Sequence, residues 1–217
     1  MDPLLTAPRP EALLGSALLE RIAEELTTHG FSIQADALPH ALGQELLADL
    51  HQLQPGELRA AGIGRGHQHL LDQRIRGDQI HWIGPERAAG RRWLTWVEAL
   101  RLAINRRLLL GIESFQSHYS HYPVGQFYSR HLDAFVGKSN RILSLVTYLN
   151  PNWQADHGGE LVIFRGADDD QGIVVEPRMG TTVLFLSEEF PHEVRITHRD
   201  RYAIAGWFDR RGRGPLD

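Results

Sequence analysis

No cysteine occurs among the 217 residues. That absence removes disulfides, thiolate metal ligands and a cysteine nucleophile together, so any bound metal must be held by histidine and carboxylate. Nor does any apolar run approach the roughly 20 residues of a membrane span. The first residues, MDPLLTAPRPEALL, carry acid and proline where a secretion signal needs basic residues and a long apolar stretch. The expected setting is the cytoplasm. A strong excess of one charge is missing too. Lys and Arg number 23 against 27 Asp and Glu, a formal charge of -4, which gives no general attraction for phosphate backbones. Neither nucleic acid nor a membrane is expected as a partner.

What is present is a globular composition, 42% hydrophobic and 23% charged, in a chain long enough for one sizeable core. One domain over residues 1–217 is expected, with 1–111 as mainly helical support plus a loop, and 112–208 as the catalytic core. Leu14, Leu18, Ile22 and Leu26 recur at four-residue spacing and Gly30 follows, which predicts a helix over 11–29. Leu42, Leu46, Leu50 and Leu53 predict a second over 39–53, closed by Pro55-Gly56. A third, between Pro85 and Gly111, places Trp93, Trp96, Val97, Leu100, Ile104 and Leu108 on one face. The glycine-rich stretch Gly62 to Gln73 lacks the lysine of a phosphate-binding loop and reads as a mobile loop, with a strand after Gly77.

Beyond residue 112 short β-type segments alternate with turn residues. Strands are predicted over 114–122, 126–134, 141–149, 160–165, 172–176, 181–187, 191–196 and 201–208. Eight short strands suggest an α+β fold: a double-stranded β-helix, or jelly roll, with the N-terminal helices packed on one sheet.

His131-Leu132-Asp133 puts an imidazole and a carboxylate two residues apart, a spacing that on a strand points both to one face. Iron(II) in oxygenases favours two histidines and one carboxylate on one side, with the opposite side open. In a chain with 12 histidines the pair alone is a weak motif, and His198-Arg199-Asp200 repeats it. Only the first pair has a later histidine, in Pro191-His192-Glu193-Val194, in addition to His198 itself. Nine residues past His192, Arg201 opens an apolar strand. If its side chain points inward it needs a counter-charge, which a dicarboxylic cosubstrate would supply bidentately.

In that order His131, Asp133, His192 and Arg201 resemble the Fe(II)/2-oxoglutarate dependent oxygenases. The detail resembles bacterial prolyl hydroxylase domain proteins and the animal oxygen-sensing prolyl hydroxylases. The supporting runs are His121-Tyr122-Pro123, Thr147-Tyr148-Leu149-Asn150, Gly158-Gly159-Glu160-Leu161-Val162-Ile163-Phe164, Glu176-Pro177, Pro191-His192-Glu193-Val194 and Arg201-Tyr202-Ala203-Ile204. Upstream, Ile75 through Ile83 resembles the segment after that family's substrate-covering loop, so the likeness spans roughly residues 60–208. It implies Fe(II) on His131, Asp133 and His192, with 2-oxoglutarate and O2 as cosubstrates and ascorbate as a stimulant. Arg201 and Tyr148 would bind the distal carboxylate of 2-oxoglutarate and Tyr122 would lie beside it. Arg76, Asp78, Arg141 and Trp207 would contact substrate, with Asp78 and Arg141 paired. The implied reaction is hydroxylation of a prolyl residue at C4 in a protein, with release of succinate and CO2, and elongation factor Tu is the leading substrate. Ala205 stands where the animal enzymes carry a hydroxyl residue, so their oxygen reactivity is not implied. The sequence closes nine residues after Phe208, without the animal enzymes' C-terminal helix, so their substrate choice is not implied either. Two rivals remain at this stage. One is the same chemistry on a small molecule or another residue. The other is a non-oxygenase jelly-roll metal-binding module, which would give Arg201 and Tyr148 no reason to require 2-oxoglutarate.

Overall fold

A computed structural model describes residues 13–62, 72, 74–134 and 139–210. Its helices arise where the leucine spacing placed them. Helix α1 (Ser16–His29) buries Leu19, Ile22, Ala23 and Leu26 on one face. It starts after Gly15, whose φ of 77° interrupts helix, and ends at Gly30, whose φ of 76° lets its N–H return to the Leu26 carbonyl. No other residue fits there, since a Cβ on Gly30 would also meet the Phe190 ring at 2.8 Å. Helix α2 (His40–His51) buries Leu42, Leu46 and Leu50, and α3 (Ala88–Leu108) buries Trp93, Trp96, Val97, Leu100 and Ile104. Within the expected bounds of Pro85 and Gly111, α3 is capped by Leu109 at a left-handed φ of 53°. Asn105 explains the reversal: its side chain both donates to the Ile112 carbonyl (2.6 Å) and accepts from the Ile112 N–H (2.8 Å).

Among the described residues eleven strands follow or intervene. Strands β1 (Phe31–Gln34), β2 (Arg59–Ala60), β3 (Gln79–Trp82), β4 (Ser114–Tyr122), β6 (Arg141–Tyr148), β9 (Thr182–Leu186) and β11 (Arg201–Asp209) form one sheet, in the order β1-β9-β6-β11-β4-β3-β2. The second sheet has the order β5-β10-β7-β8, from β5 (Tyr128–His131), β7 (Leu161–Ile163), β8 (Ile173–Val175) and β10 (His192–Val194). Every pairing is antiparallel. Along β11 the alternation sends Ile204 and Phe208 to one core, with Leu143, Leu145, Leu184 and the buried faces of the three helices. Ala203 faces a second core between the sheets, with Tyr122, Tyr148, Ile163, Val183 and Phe185. The result is the expected jelly roll with helices on one sheet, its inner space shared by both sheets.

Two strands were not foreseen. β1 is four residues long and β2 two, and each exists through its partner, Phe31 lying opposite Phe185 and Arg59 opposite Ile80. The expected strand over 126–134 also shortens to Tyr128–His131, which leaves Asp133 in a bend. Much of the stretch expected to be a mobile loop, residues 63–71 and 73, lies outside the described residues.

Candidate active site

The two histidines meet through strand register. His192 on β10 pairs directly with His131 at the end of β5, so both imidazoles leave the minor sheet on one face with centroids 4.2 Å apart. Asp133 does not follow along the strand, as its spacing suggested, but turns in through the bend. Ser144 on β6 donates its hydroxyl to Asp133 Oδ2 at 2.6 Å, and the Arg141 guanidinium donates to the Asp133 carbonyl at 3.1 Å. Asp133 Oδ1 then lies 3.8 Å from His131 Nε2, and Oδ2 3.7 Å from His192 Nε2. One ligand atom from each of the three falls within 4.8 Å of the others, and among the described residues no other such group occurs. The repeated motif at His198 is not gathered: His198 and Arg199 are exposed, and Asp200 pairs with His121 at 2.8 Å.

The protonation pattern suits a cation. His131 Nδ1 faces the Ser129 carbonyl at 2.8 Å and His192 Nδ1 faces the Phe190 carbonyl at 3.0 Å. A carbonyl can only accept, so each Nδ1 carries a hydrogen and each Nε2 is the ring nitrogen turned towards Asp133. Burial, then the nearby His192, lowers the His131 pKa to about 3. Burial pushes the Asp133 carboxyl up, but the two imidazoles, the Ser144 hydroxyl and Arg141 outweigh it and hold the group well below the usual carboxylate range. Two imidazole nitrogens and one carboxylate on one side of a cavity fit a divalent iron.

Beyond the triad the cavity is lined by the inward face of β11, including Arg201, Ala203, Ala205 and Trp207. Arg201 lies opposite Tyr122 of β4, and Ala203 opposite Tyr148 of β6, so the guanidinium stands over both rings at 5.0 and 5.1 Å. It is 1% exposed; its Nε donates to the Gly159 carbonyl at 2.7 Å, and no carboxylate among the described residues pairs with it. A buried guanidinium without counter-charge is costly. The Tyr148 hydroxyl, equally buried, meets no acceptor among the described residues, and burial, opposed by the adjacent Arg201, pushes its pKa up to about 12, so it remains a donor. Gly159 makes room: its φ is +67°, and a Cβ there would stand 3.0 Å from Arg201 Cδ and from Thr197 Oγ1. An orphaned cation, an orphaned phenol and a glycine-shaped recess fit the far carboxylate of a dicarboxylate. Counting imidazoles as neutral, the cavity wall carries Arg76 and Arg201 against Asp78 and Asp133, so a divalent metal and a dianion would leave it balanced.

At the mouth one expectation is overturned. The sequence reading paired Asp78 with Arg141, but Asp78 is held by Arg76, two residues before it, through Nε to Oδ1 at 2.6 Å and Nη2 to Oδ2 at 3.1 Å. Ser120 adds a donor at 2.7 Å. Residues 76 and 78 are two apart in extended chain, so their side chains share a face and reach each other at no cost in chain closure. Arg141 is turned instead to the Asp133 carbonyl and lies over the Trp207 ring at 3.8 Å. Asp78 is also 2% exposed, far from a surface ion pair. Trp207 lines the cavity, and its buried indole N–H has no hydrogen-bond partner among the described residues. The sequence reading missed Ser144, Ser120 and Tyr128, because a serine or tyrosine within a strand carries no signal until its facing partner is known.

Comparison with known proteins agrees with this geometry. Residues 117–209 match the family described as the 2OG-Fe(II) oxygenase superfamily. Prolyl hydroxylase EGLN3 of Mus musculus is 32% identical over 201 residues, covering 88% of this chain and 82% of that protein. A prolyl-4-hydroxylase from Pseudomonas putida superposes with a TM-score of 0.79 at 42% identity, over 88% of this chain and 99% of that one. A prolyl hydroxylase from Trichoplax adhaerens, solved with a peptide of the hypoxia inducible factor oxygen degradation domain, gives 0.77 at 29%, over 89% of each chain. A triad suited to iron and a buried cation facing the same cavity thus stand in a chain with these relatives, and it belongs to the 2-oxoglutarate and Fe(II) dependent oxygenases as an enzyme of the prolyl hydroxylase type.

Proposed function

We propose that this chain hydroxylates C4 of a prolyl residue in a protein substrate, with His131, Asp133 and His192 holding the iron and Arg201, Tyr148 and Tyr122 receiving 2-oxoglutarate. The observation that carries the reading is the buried Arg201, without a carboxylate partner among the described residues, on the wall of the cavity that contains the triad. Bound together, Fe(II), 2-oxoglutarate and O2 supply the oxidant that converts C–H to C–OH while 2-oxoglutarate leaves as succinate and CO2.

The protein's own part is to bind and orient. Ser144 aims Asp133, and the Ser129 and Phe190 carbonyls hold each Nδ1 hydrogen, which turns both Nε2 atoms to the metal position. Arg201 would neutralise the far carboxylate of 2-oxoglutarate and Tyr148 would donate to it. Trp207, Arg76, Asp78 and Arg141 border the open side, where the indole N–H of Trp207 offers a donor to a substrate carbonyl. The peptide bound in the Trichoplax relative supports a polypeptide segment, rather than a free amino acid, as the substrate class. The resemblance to bacterial enzymes associated with elongation factor Tu supports that protein as the leading partner, in a cytoplasmic setting.

The test is to incubate the iron-loaded protein with 2-oxoglutarate and purified elongation factor Tu, in parallel with a cell extract, and to map peptides that gain one oxygen. A hydroxylated prolyl residue in elongation factor Tu is expected. The modification appearing only on another protein would overturn the partner, and succinate release with only free amino acids modified would overturn the substrate class.

A further inference from the structure

The His131 ring is held at one corner by its Nδ1 contact to Ser129, but a single hydrogen bond leaves an imidazole free to rock about that corner. His131 is also the more open of the two histidines, its side chain 19% exposed against 6% for His192. What stops the rocking is Tyr128. Its phenol ring lies flat against the imidazole, with centroids 3.6 Å apart and planes 15° apart, whereas the aromatic neighbour of His192, Phe185, meets that ring at 61°.

Tyr128 is itself held from the mouth. The Arg76 guanidinium stands 4.8 Å from the centre of its ring, and Arg76 is fixed by both oxygens of Asp78. The backbone repeats the connection. Gly77 N–H donates to the Phe127 carbonyl at 3.0 Å and Ser129 N–H to the Ile75 carbonyl at 2.8 Å, with Arg76 opposite Tyr128. Residues 75–77 therefore complete the edge of β5 that β10 leaves open, and the segment bordering the cavity mouth is bonded to the strand that ends in His131.

We infer that Tyr128 is a positioning residue that fixes the plane of His131 for the metal, and that Arg76 extends this hold to the mouth of the cavity. The inference rests on His131 being a metal ligand, and the experiment separates the two. Cobalt(II) is titrated into the full chain as a spectroscopic stand-in for iron, reading affinity and the visible absorption bands that report ligand geometry. Tyr128→Phe retains a flat ring and is expected to match the wild type. Tyr128→Leu keeps an apolar side chain without the flat face. It is expected to bind cobalt about 10–100-fold more weakly, the usual range for residues that orient a ligand, with altered bands. Arg76→Met should change the bands in the same direction by a smaller amount. Tyr128→Leu binding like the wild type, or Tyr128→Phe falling as far as Tyr128→Leu, would overturn the inference. Should Tyr128→Leu fail to fold, Arg76→Met decides, and unchanged bands there overturn the coupling. His192→Ala tests the underlying assignment: if it binds cobalt like the wild type, the triad itself is wrong, and the role of Tyr128 falls with it.

Discussion

At the scale of the residue, the triad and Arg201 do different work, and their substitutions should fail differently. Asp133→Ala and His192→Ala remove two of the proposed metal ligands from the cavity wall, so 2-oxoglutarate turnover should vanish while circular dichroism stays native. His198→Ala is the matched control, because His198 is exposed and its pair motif is never gathered; near-normal succinate production by either triad variant would remove the assignment. Arg201→Ala leaves a buried carboxylate of the cosubstrate without its cation, a loss of about 2–5 kcal/mol in comparable pairs. The 2-oxoglutarate concentration needed for half-maximal turnover should rise by at least about thirtyfold. Arg199→Ala should change it little, since Arg199 is exposed and β11 begins only at Arg201. A reversal of that order would contradict the inward placement of Arg201.

At the scale of the element, β11 and the Gly158-Gly159 turn together make the recess proposed for the cosubstrate. The strand delivers Arg201, and the turn supplies a carbonyl for its Nε and the space beside its Cδ. Gly159→Ala adds a Cβ at a positive φ, a strain of about 1–2 kcal/mol, and presses on Arg201 and Thr197. In a chain of this size that lowers Tm by roughly 2–8 °C. The more telling expectation is kinetic: KM for 2-oxoglutarate should rise while affinity for the metal is unchanged, because the triad lies on β5, the bend after it and β10. An equal loss of metal affinity in a cobalt titration would show that the turn supports the whole cavity rather than one end of it. Elements also explain why helices were easier to read than short strands. The leucine rows of α1 and α2 repeat often enough to be seen alone, whereas β1 and β2 have four and two residues and are defined by what they pair with.

Across the whole molecule, buried titratable groups should show in acid stability. His118 is 2% exposed; burial, opposed by Asp78 and assisted by Arg76 and Arg141, lowers its pKa to about 4 from an ordinary 6.5. Between those values the unfolded chain takes up a proton that the folded one refuses, so this contribution is present above pH 6.5 and lost as pH falls towards 4. His118→Gln should reduce the slope of unfolding free energy against pH in that window by up to about 1.4 kcal/mol per pH unit. An unchanged slope in urea titrations from pH 4 to 6.5 would mean His118 titrates normally. The sequence by itself determined the order of His131, Asp133, His192 and Arg201, the three amphipathic helices and most of the strands of the jelly roll, because periodicity and motif spacing are local properties of a chain. It could not decide which side chains face one another. The pairing of Asp78 with Arg76 rather than Arg141, the entry of Asp133 through a bend held by Ser144, and the stacking of Tyr128 on His131 were decided only by tertiary structure. Each depends on strand register and sheet closure, and these are fixed by the packing of the whole core rather than by neighbours in sequence.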